Sequence, residues 1–205
     1  MQRKLLDTHK VNMFFSGIEI GERPKSHENI MGTSQQPWLP VEAIEFLENN
    51  LNKNHTGFEF GSGSSSFWFA KLTKKLYSVE SDPVWNKMML DLAEINNINN
   101  IFLNCIQCDM LAIWDNDLEI GGNYDLYGKE IQAIDINFDY ILIDGVARST
   151  CILNSIEKLN PGGYLIIDNA ERPAYMNSIE KIPKNWQIFE FKNSIDTTLI
   201  FRREV

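Results

Sequence analysis

Between Pro40 and Arg203 the chain alternates short apolar runs with segments of helical spacing. Val41, Ile44, Leu47 and Leu51 recur at three- and four-residue intervals, which predicts one helix face, with Pro40 at its first turn. GFEF (57–60) reads as a short strand, SSSFWFAKLTK (64–74) as a helix and KLYSV (75–79) as a second strand. DPVWNKMMLDLAEINN opens another helix, with Asp82 as N-cap, Pro83 at the first helical position and Val84, Met88, Leu92 and Ile95 along one face. NIFLN (100–104) and FDYILID (138–144) follow as strands. The near-continuous apolar run of the latter predicts cover on both faces. A helix over 149–159 stops at Asn160-Pro161-Gly162-Gly163, and GGYLIID (162–168) is the fifth strand. Such alternation predicts a mostly parallel sheet with helices on both sides. The last two strands, WQIFEF (186–191) and TTLIFRR (197–203), are joined only by KNSID. That link is too short for a crossover helix, so the pair must be an antiparallel hairpin. Residues 1–36 lack this periodicity and read as an N-terminal arm, a candidate substrate lid, ahead of a domain over 37–205. Residues 110–137 read as a long loop with one helical piece.

Composition narrows the class. A chain of 205 residues with 43% hydrophobic content suffices for one full α/β domain. No apolar run approaches the roughly 20 residues that span a bilayer, so no membrane partner is expected. MQRKLLDTHKVNMFF is basic but lacks an apolar core and a small-residue cleavage site, so no signal peptide is expected. The formal net charge of −9 gives no general attraction to phosphate backbones, which predicts a small-molecule substrate rather than nucleic acid. Cys105, Cys108 and Cys151 cannot all pair, which fits a reducing, cytoplasmic setting. Cys105 and Cys108 form a lone CxxC and read as ordinary, mostly buried cysteines. A homo-oligomer stays open.

The stretch FEFGSGSSS raises the chemical question, because a glycine-containing turn that follows a strand and opens a helix is where open α/β sheets bind ligands. Gly61 and Gly63 allow close backbone approach. No Lys follows in the position a phosphate-binding P-loop needs. The dinucleotide pattern G-x-G-x-x-G is two-thirds made, since Ser66 holds its last position. Glu80 ends the second strand, where a carboxylate can accept both hydroxyls of a ribose. Glu59 lies within the first strand, where a carboxylate would crowd a pyrophosphate but suits the amino group of a methionine moiety. Asp109, after the third strand, is placed to accept from an adenine amino group. Glu80 as an outer helix cap and Asp109 as a turn residue are the plainer alternatives, whereas Glu59 in an apolar strand costs several kcal/mol unless paired. Trp68, Trp85 and Trp114 read as core.

FEFGSGSSS followed by VESD resembles the cofactor site of the class I S-adenosylmethionine-dependent methyltransferases, from about Pro37 to the C-terminus. The resemblance implies a seven-stranded Rossmann-like sheet with a terminal antiparallel hairpin. It also implies that Glu59, Gly61, Ser62 and Gly63 surround the methionine part, Glu80 the ribose and Asp109 the adenine. Ser65 stands where the family usually has a third glycine. At the ends of the fourth and fifth strands, Asp144, Asp168 and Asn169 resemble the metal-binding triad of the catechol and caffeoyl-CoA O-methyltransferases. That implies Mg²⁺ or Ca²⁺ acidifying an acceptor hydroxyl. Those enzymes have a Lys base three residues after the first Asp; here Ala147 holds that place, followed by Arg148, too basic to serve. Lys25 and His27 in the arm are candidate bases, while His9 and His55 read as surface residues. Asp144, Arg148 and His27 are thus the candidate catalytic set, and Arg148 and Arg172 candidates to hold an anionic substrate group. The leading expectation is methylation of a small molecule, at oxygen because IDGVAR is not the [DN]-P-P-[YFW] motif of amino-methylating nucleic-acid enzymes. A nicotinamide oxidoreductase and a non-catalytic cofactor- or partner-binding module are the alternatives.

Overall fold

A computed structural model describes residues 36–108, 122–194 and 196–205. The arm with Lys25 and His27, Asp109 and Trp114 therefore lie outside the described residues.

The elements in chain order are α1 (Val41–Asn50), β1 (Thr56–Phe60), α2 (Ser64–Leu72), β2 (Lys75–Glu80), α3 (Pro83–Ile95) and β3 (Ile101–Cys105). They continue with α4 (Gly122–Lys129), a 3-10 turn (Glu130–Ala133), β4 (Phe138–Ile143), α5 (Arg148–Ser155), β5 (Leu159–Ile167), α6 (Pro173–Ile179), β6 (Gln187–Lys192) and β7 (Thr197–Arg202). One seven-stranded sheet runs in the order β3-β2-β1-β4-β5-β7-β6. All neighbours are parallel except β7, which runs antiparallel to both β5 and β6. The chain steps outward from β1 to β3, then returns to lay β4 beside β1. That reversal opens a crevice at the carboxyl ends of β1 and β4.

The apolar run of β4 has the expected cause. Tyr140, Ile141, Leu142 and Ile143 are all fully buried, because helices cover both faces. On one face Phe58, Phe60, Ile143, Leu165 and Ile167 pack with Tyr127 of α4, Ile152 of α5 and Tyr175 of α6. On the other, Leu142 and Ile166 pack with Leu47 of α1 and Phe69 of α2. Asp82 caps α3 as expected, its Oδ1 accepting from the backbone N–H of Val84 at 2.8 Å and of Trp85 at 3.1 Å.

Three expectations need correction. Along α3, Asn86, Met89, Leu92 and Ala93 are buried, whereas Val84 and Ile95 are exposed. The helix has apolar residues on two sides, and packing chose the stripe that includes an asparagine. The helix at 149–159 is shorter than expected. It spans Arg148–Ser155, and Asn160-Pro161-Gly162-Gly163 already belongs to β5. There the register against β4 slips between Phe138 and Tyr140, so this proline-glycine run marks a bulged strand entry rather than a loop. Helix α6, with Pro173 in its first turn, was not expected from the sequence.

Candidate functional site

The turn after β1 is built around a buried carboxylate. Glu59 is fully buried. Its Oε1 accepts from Ser65 Oγ at 2.5 Å, and its Oε2 accepts from Ser66 Oγ and, at 3.0 Å, from Ser78 Oγ. Desolvation pushes its pKa up to about 7, even though the three hydroxyls favour the charged form. Ser66 Oγ also accepts from the Gly63 N–H at 3.0 Å, so Glu59 ties the turn to the start of α2 from beneath. It does not face solvent.

Gly61 and Gly63 serve different ends. Gly61 has φ +89°, and a Cβ there would lie 2.7 Å from Gly145 Cα, backbone against backbone. Only glycine fits. Gly145 in turn leaves room for Tyr127, whose hydroxyl donates to Val79 O at 3.3 Å. At Gly63 the backbone is extended, with φ −172°, and an added Cβ would meet nothing closer than Ser65 Oγ at 4.0 Å. Nothing among the described residues requires a glycine at this point; among them, its missing side chain leaves open space beside the turn.

Glu80 ends β2 and reaches across to that turn. Its Oε2 accepts from the Ser62 N–H at 3.0 Å and from Ser62 Oγ at 3.1 Å. Its Oε1 accepts from the Ser81 N–H at 2.6 Å, Ser81 Oγ at 3.2 Å and the Asp82 N–H at 2.9 Å. Trp85 fixes the turn from the other side, its indole N–H donating to Ser62 O at 2.7 Å.

Across the crevice, the ends of β4 and β5 carry a different arrangement. Ala147 adopts a left-handed conformation, φ 50° and ψ 37°, at a cost of roughly 1–2 kcal/mol for a residue with a Cβ. The next residue, Arg148, folds back over the strand ends. It donates from Nε to Gly145 O at 2.9 Å, from one terminal nitrogen to Asp168 O at 2.6 Å, and from the other to Asp144 O at 3.1 Å and Asp144 Oδ1 at 2.9 Å. Thr198 Oγ1 donates to Asp168 Oδ1 at 2.8 Å, and Asn169 Nδ2 to Asp196 Oδ1 at 2.9 Å. Burial, then the adjacent Asp144 charge, push Asp168 up to about 7; burial also raises Asp144 above the usual carboxylate range. Asp168 is buried, while the side chain of Asp144 is 34% exposed.

These contacts revise the expected roles. Arg148 is a strut with four of its N–H groups engaged inside the fold, so it is not free to hold a substrate anion. Arg172 is only half-buried and reaches the Tyr175 hydroxyl at 3.4 Å. The oxygen triad expected to take Mg²⁺ or Ca²⁺ does not fit a metal. A guanidinium already sits on Asp144, a hydroxyl is fixed on Asp168, and Asn169 is turned toward Asp196. Among the described residues no group of three or more His, Cys, Asp or Glu could hold a metal ion. Trp68 is core, while Trp85 is half-buried and supports the turn. Cys105, Cys108 and Cys151 form no disulfide with one another, and Cys108 and Cys151 are buried. Among the described residues no helix is long and apolar enough to cross a membrane. Ser66, Ser78, Ser81 and Thr198 were missed, since a serine or threonine in sequence gives no sign of the carboxylate it will meet.

No family model and no curated protein matches the chain. Solved structures do. A methyltransferase candidate from Streptococcus mutans, in complex with S-adenosylhomocysteine, superposes with a TM-score of 0.59 at 17% identity, over 82% of this chain and 99% of that one. An rRNA methylase from Streptococcus thermophilus gives 0.58 at 14% identity, over 83% and 99%. A methyltransferase-like protein from Silicibacter pomeroyi gives 0.59 at 20% identity, over 82% and 89%. The strand order and these likenesses together define the fold: it is the Rossmann-like fold of the S-adenosylmethionine-dependent methyltransferases.

Proposed function

We propose that the protein is an S-adenosylmethionine-dependent methyltransferase whose cofactor lies over the Gly61–Ser62–Gly63 turn. The observation that carries this reading is Glu80: a carboxylate at the end of β2, held by backbone N–H groups beside the open space at Gly63. A carboxylate so fixed can take a ribose diol, one hydroxyl on each oxygen. The fold's likeness to a structure with S-adenosylhomocysteine bound supports the same ligand.

When bound there, the cofactor supplies a methyl group made electrophilic by a sulfonium. Glu80 holds the ribose, the turn's backbone lies against the rest, and Glu59 keeps the turn in shape. Asp144, partly exposed just after β4 and close to Asp168, accepts the proton of the methyl acceptor. Burial raises its pKa, which makes it a stronger proton acceptor than a solvated carboxylate. A bound cofactor would give its methyl group to the acceptor oxygen as the S–CH3 bond breaks and the sulfonium leaves as a neutral thioether, with alignment and water exclusion as the protein's main contribution. We assign the acceptor to small molecules carrying a hydroxyl, a reading supported by the net charge of −9 and by the acidic groups at the crevice. The S. thermophilus neighbour's rRNA substrate is the competing reading.

Calorimetric titration of S-adenosylhomocysteine and, separately, NAD into the purified protein tests the cofactor assignment. Saturable binding of the first alone is expected; binding of NAD alone would overturn it.

A further inference from the structure

Glu80 accepts five hydrogen bonds, about one more than the four lone-pair positions of a carboxylate offer. The donors fall into two kinds. The N–H groups of Ser62, Ser81 and Asp82 belong to the backbone and keep the carboxylate in place. The other two are hydroxyls, Ser62 Oγ on Oε2 at 3.1 Å and Ser81 Oγ on Oε1 at 3.2 Å. These are among the longest of the five, and the only ones that a side-chain rotation can release.

One hydroxyl per carboxylate oxygen is also the pattern a vicinal diol presents. From this we infer that Ser62 and Ser81 are stand-ins for the ribose hydroxyls: they satisfy Glu80 in the free protein and must rotate away when a nucleoside binds. The inference rests on the cofactor reading above and adds a specificity device to it. Because ligand hydroxyls replace protein hydroxyls like for like, a ligand with a full diol leaves the carboxylate satisfied. A ligand lacking the diol either leaves the serines in place and gains nothing from Glu80, or displaces them and leaves a buried carboxylate short of donors. The serines thereby weaken binding of every nucleoside but sharpen the preference for an intact ribose.

The test is titration of S-adenosylhomocysteine, adenosine and 2′,3′-dideoxyadenosine into the wild-type chain and into Ser62→Ala, Ser81→Ala and the double variant. Each hydroxyl is a modest hydrogen bond to a charged group, so each single variant should bind S-adenosylhomocysteine about 3- to 5-fold tighter, and the double variant on the order of 10-fold tighter. Adenosine should gain by a similar factor. The dideoxy compound should change by less than about twofold, because it does not compete for the carboxylate. Circular dichroism and thermal melting establish that each variant is folded. An unchanged or weakened affinity for S-adenosylhomocysteine in folded variants overturns the stand-in role while leaving the cofactor reading intact. Equal gains for the dideoxy compound overturn it as well, since the serines would then act on the turn rather than on the diol. Failure of the wild-type chain to bind S-adenosylhomocysteine at all overturns the cofactor reading itself and, with it, this inference.

Discussion

The two sides of the crevice differ in one respect: of Glu59, Glu80, Asp144 and Asp168, only Asp144, on the β4–β5 side, has a cation on its carboxylate among the described residues. On the β1–β2 side, Glu59 and Glu80 are buried against donors that, among the described residues, are all neutral: three serine hydroxyls for one, backbone N–H groups and two hydroxyls for the other. On the β4–β5 side, the Asp144 carboxylate is paired with the guanidinium of Arg148, which also donates to the main-chain O of Asp168, while the Asp168 carboxylate accepts from Thr198 Oγ1. The difference bears on the cofactor site we propose. The first side fixes Glu80 beside the Gly61–Gly63 turn by backbone N–H groups and serine hydroxyls, the arrangement that the proposed nucleoside reading uses. The second pairs its partly exposed carboxyl, Asp144, with Arg148 and keeps the buried Asp168 on a threonine hydroxyl.

The comparison can be broken most forcefully at Arg148. Removing one partner of a buried, hydrogen-bonded ion pair leaves a stranded charge, so Arg148→Met should cost about 3 kcal/mol, the low end of the usual range because Asp144 is partly exposed. Urea unfolding measures it; a loss below about 1 kcal/mol would show that the strut is dispensable.

Glu59 tests the other side through pH. Its folded pKa of about 7 lies above the ordinary value of 4.5, so the folded state binds the proton more tightly than the unfolded one. Stability therefore falls as pH rises from about 4.5 through about 7 and levels off above that, by about 3 kcal/mol from this group alone. Asp168, raised for related reasons, acts in the same direction. Glu59→Gln should remove its share of the slope, so that the pH 5 to pH 8 difference shrinks. An unaltered pH profile would mean that Glu59 stays ionised throughout.

The smallest effect concerns α3. Asn86 Oδ1 is the one buried side-chain polar atom without a hydrogen-bond partner among the described residues. An unsatisfied carbonyl of this kind costs on the order of 1 kcal/mol, so Asn86→Leu should raise stability by about that amount. A loss of stability instead would show a donor reaching this atom in solution.

How much of this could be read from the sequence follows from what each feature depends on. Strand alternation, the Asp82 cap and the hairpin over 186–203 are local, and spacing reveals them. Gly61 and Glu80 were singled out from the glycine turn, the strand end and the methyltransferase resemblance, and the structure sets them at the ends of β1 and β2. Arg148 was misread because its role is set by the carbonyls of Gly145 and Asp168, partners that sequence does not bring into view. The α3 face failed because two apolar stripes compete on one helix and tertiary packing selects between them. Gly63 misled in another way, since its extended backbone has no need of glycine and only the open space above it gives a reason.

The most direct test of the central claim is to titrate S-adenosylhomocysteine into the wild-type protein and Glu80→Gln side by side. The amide keeps the size of the side chain but loses one acceptor oxygen and the charge. If Glu80 holds the ribose, the wild type binds and the variant, still folded, loses at least about tenfold in affinity, the equivalent of one charged hydrogen bond. Equal affinities in the two proteins would contradict the assignment of Glu80 and move the cofactor away from the Gly61–Gly63 turn.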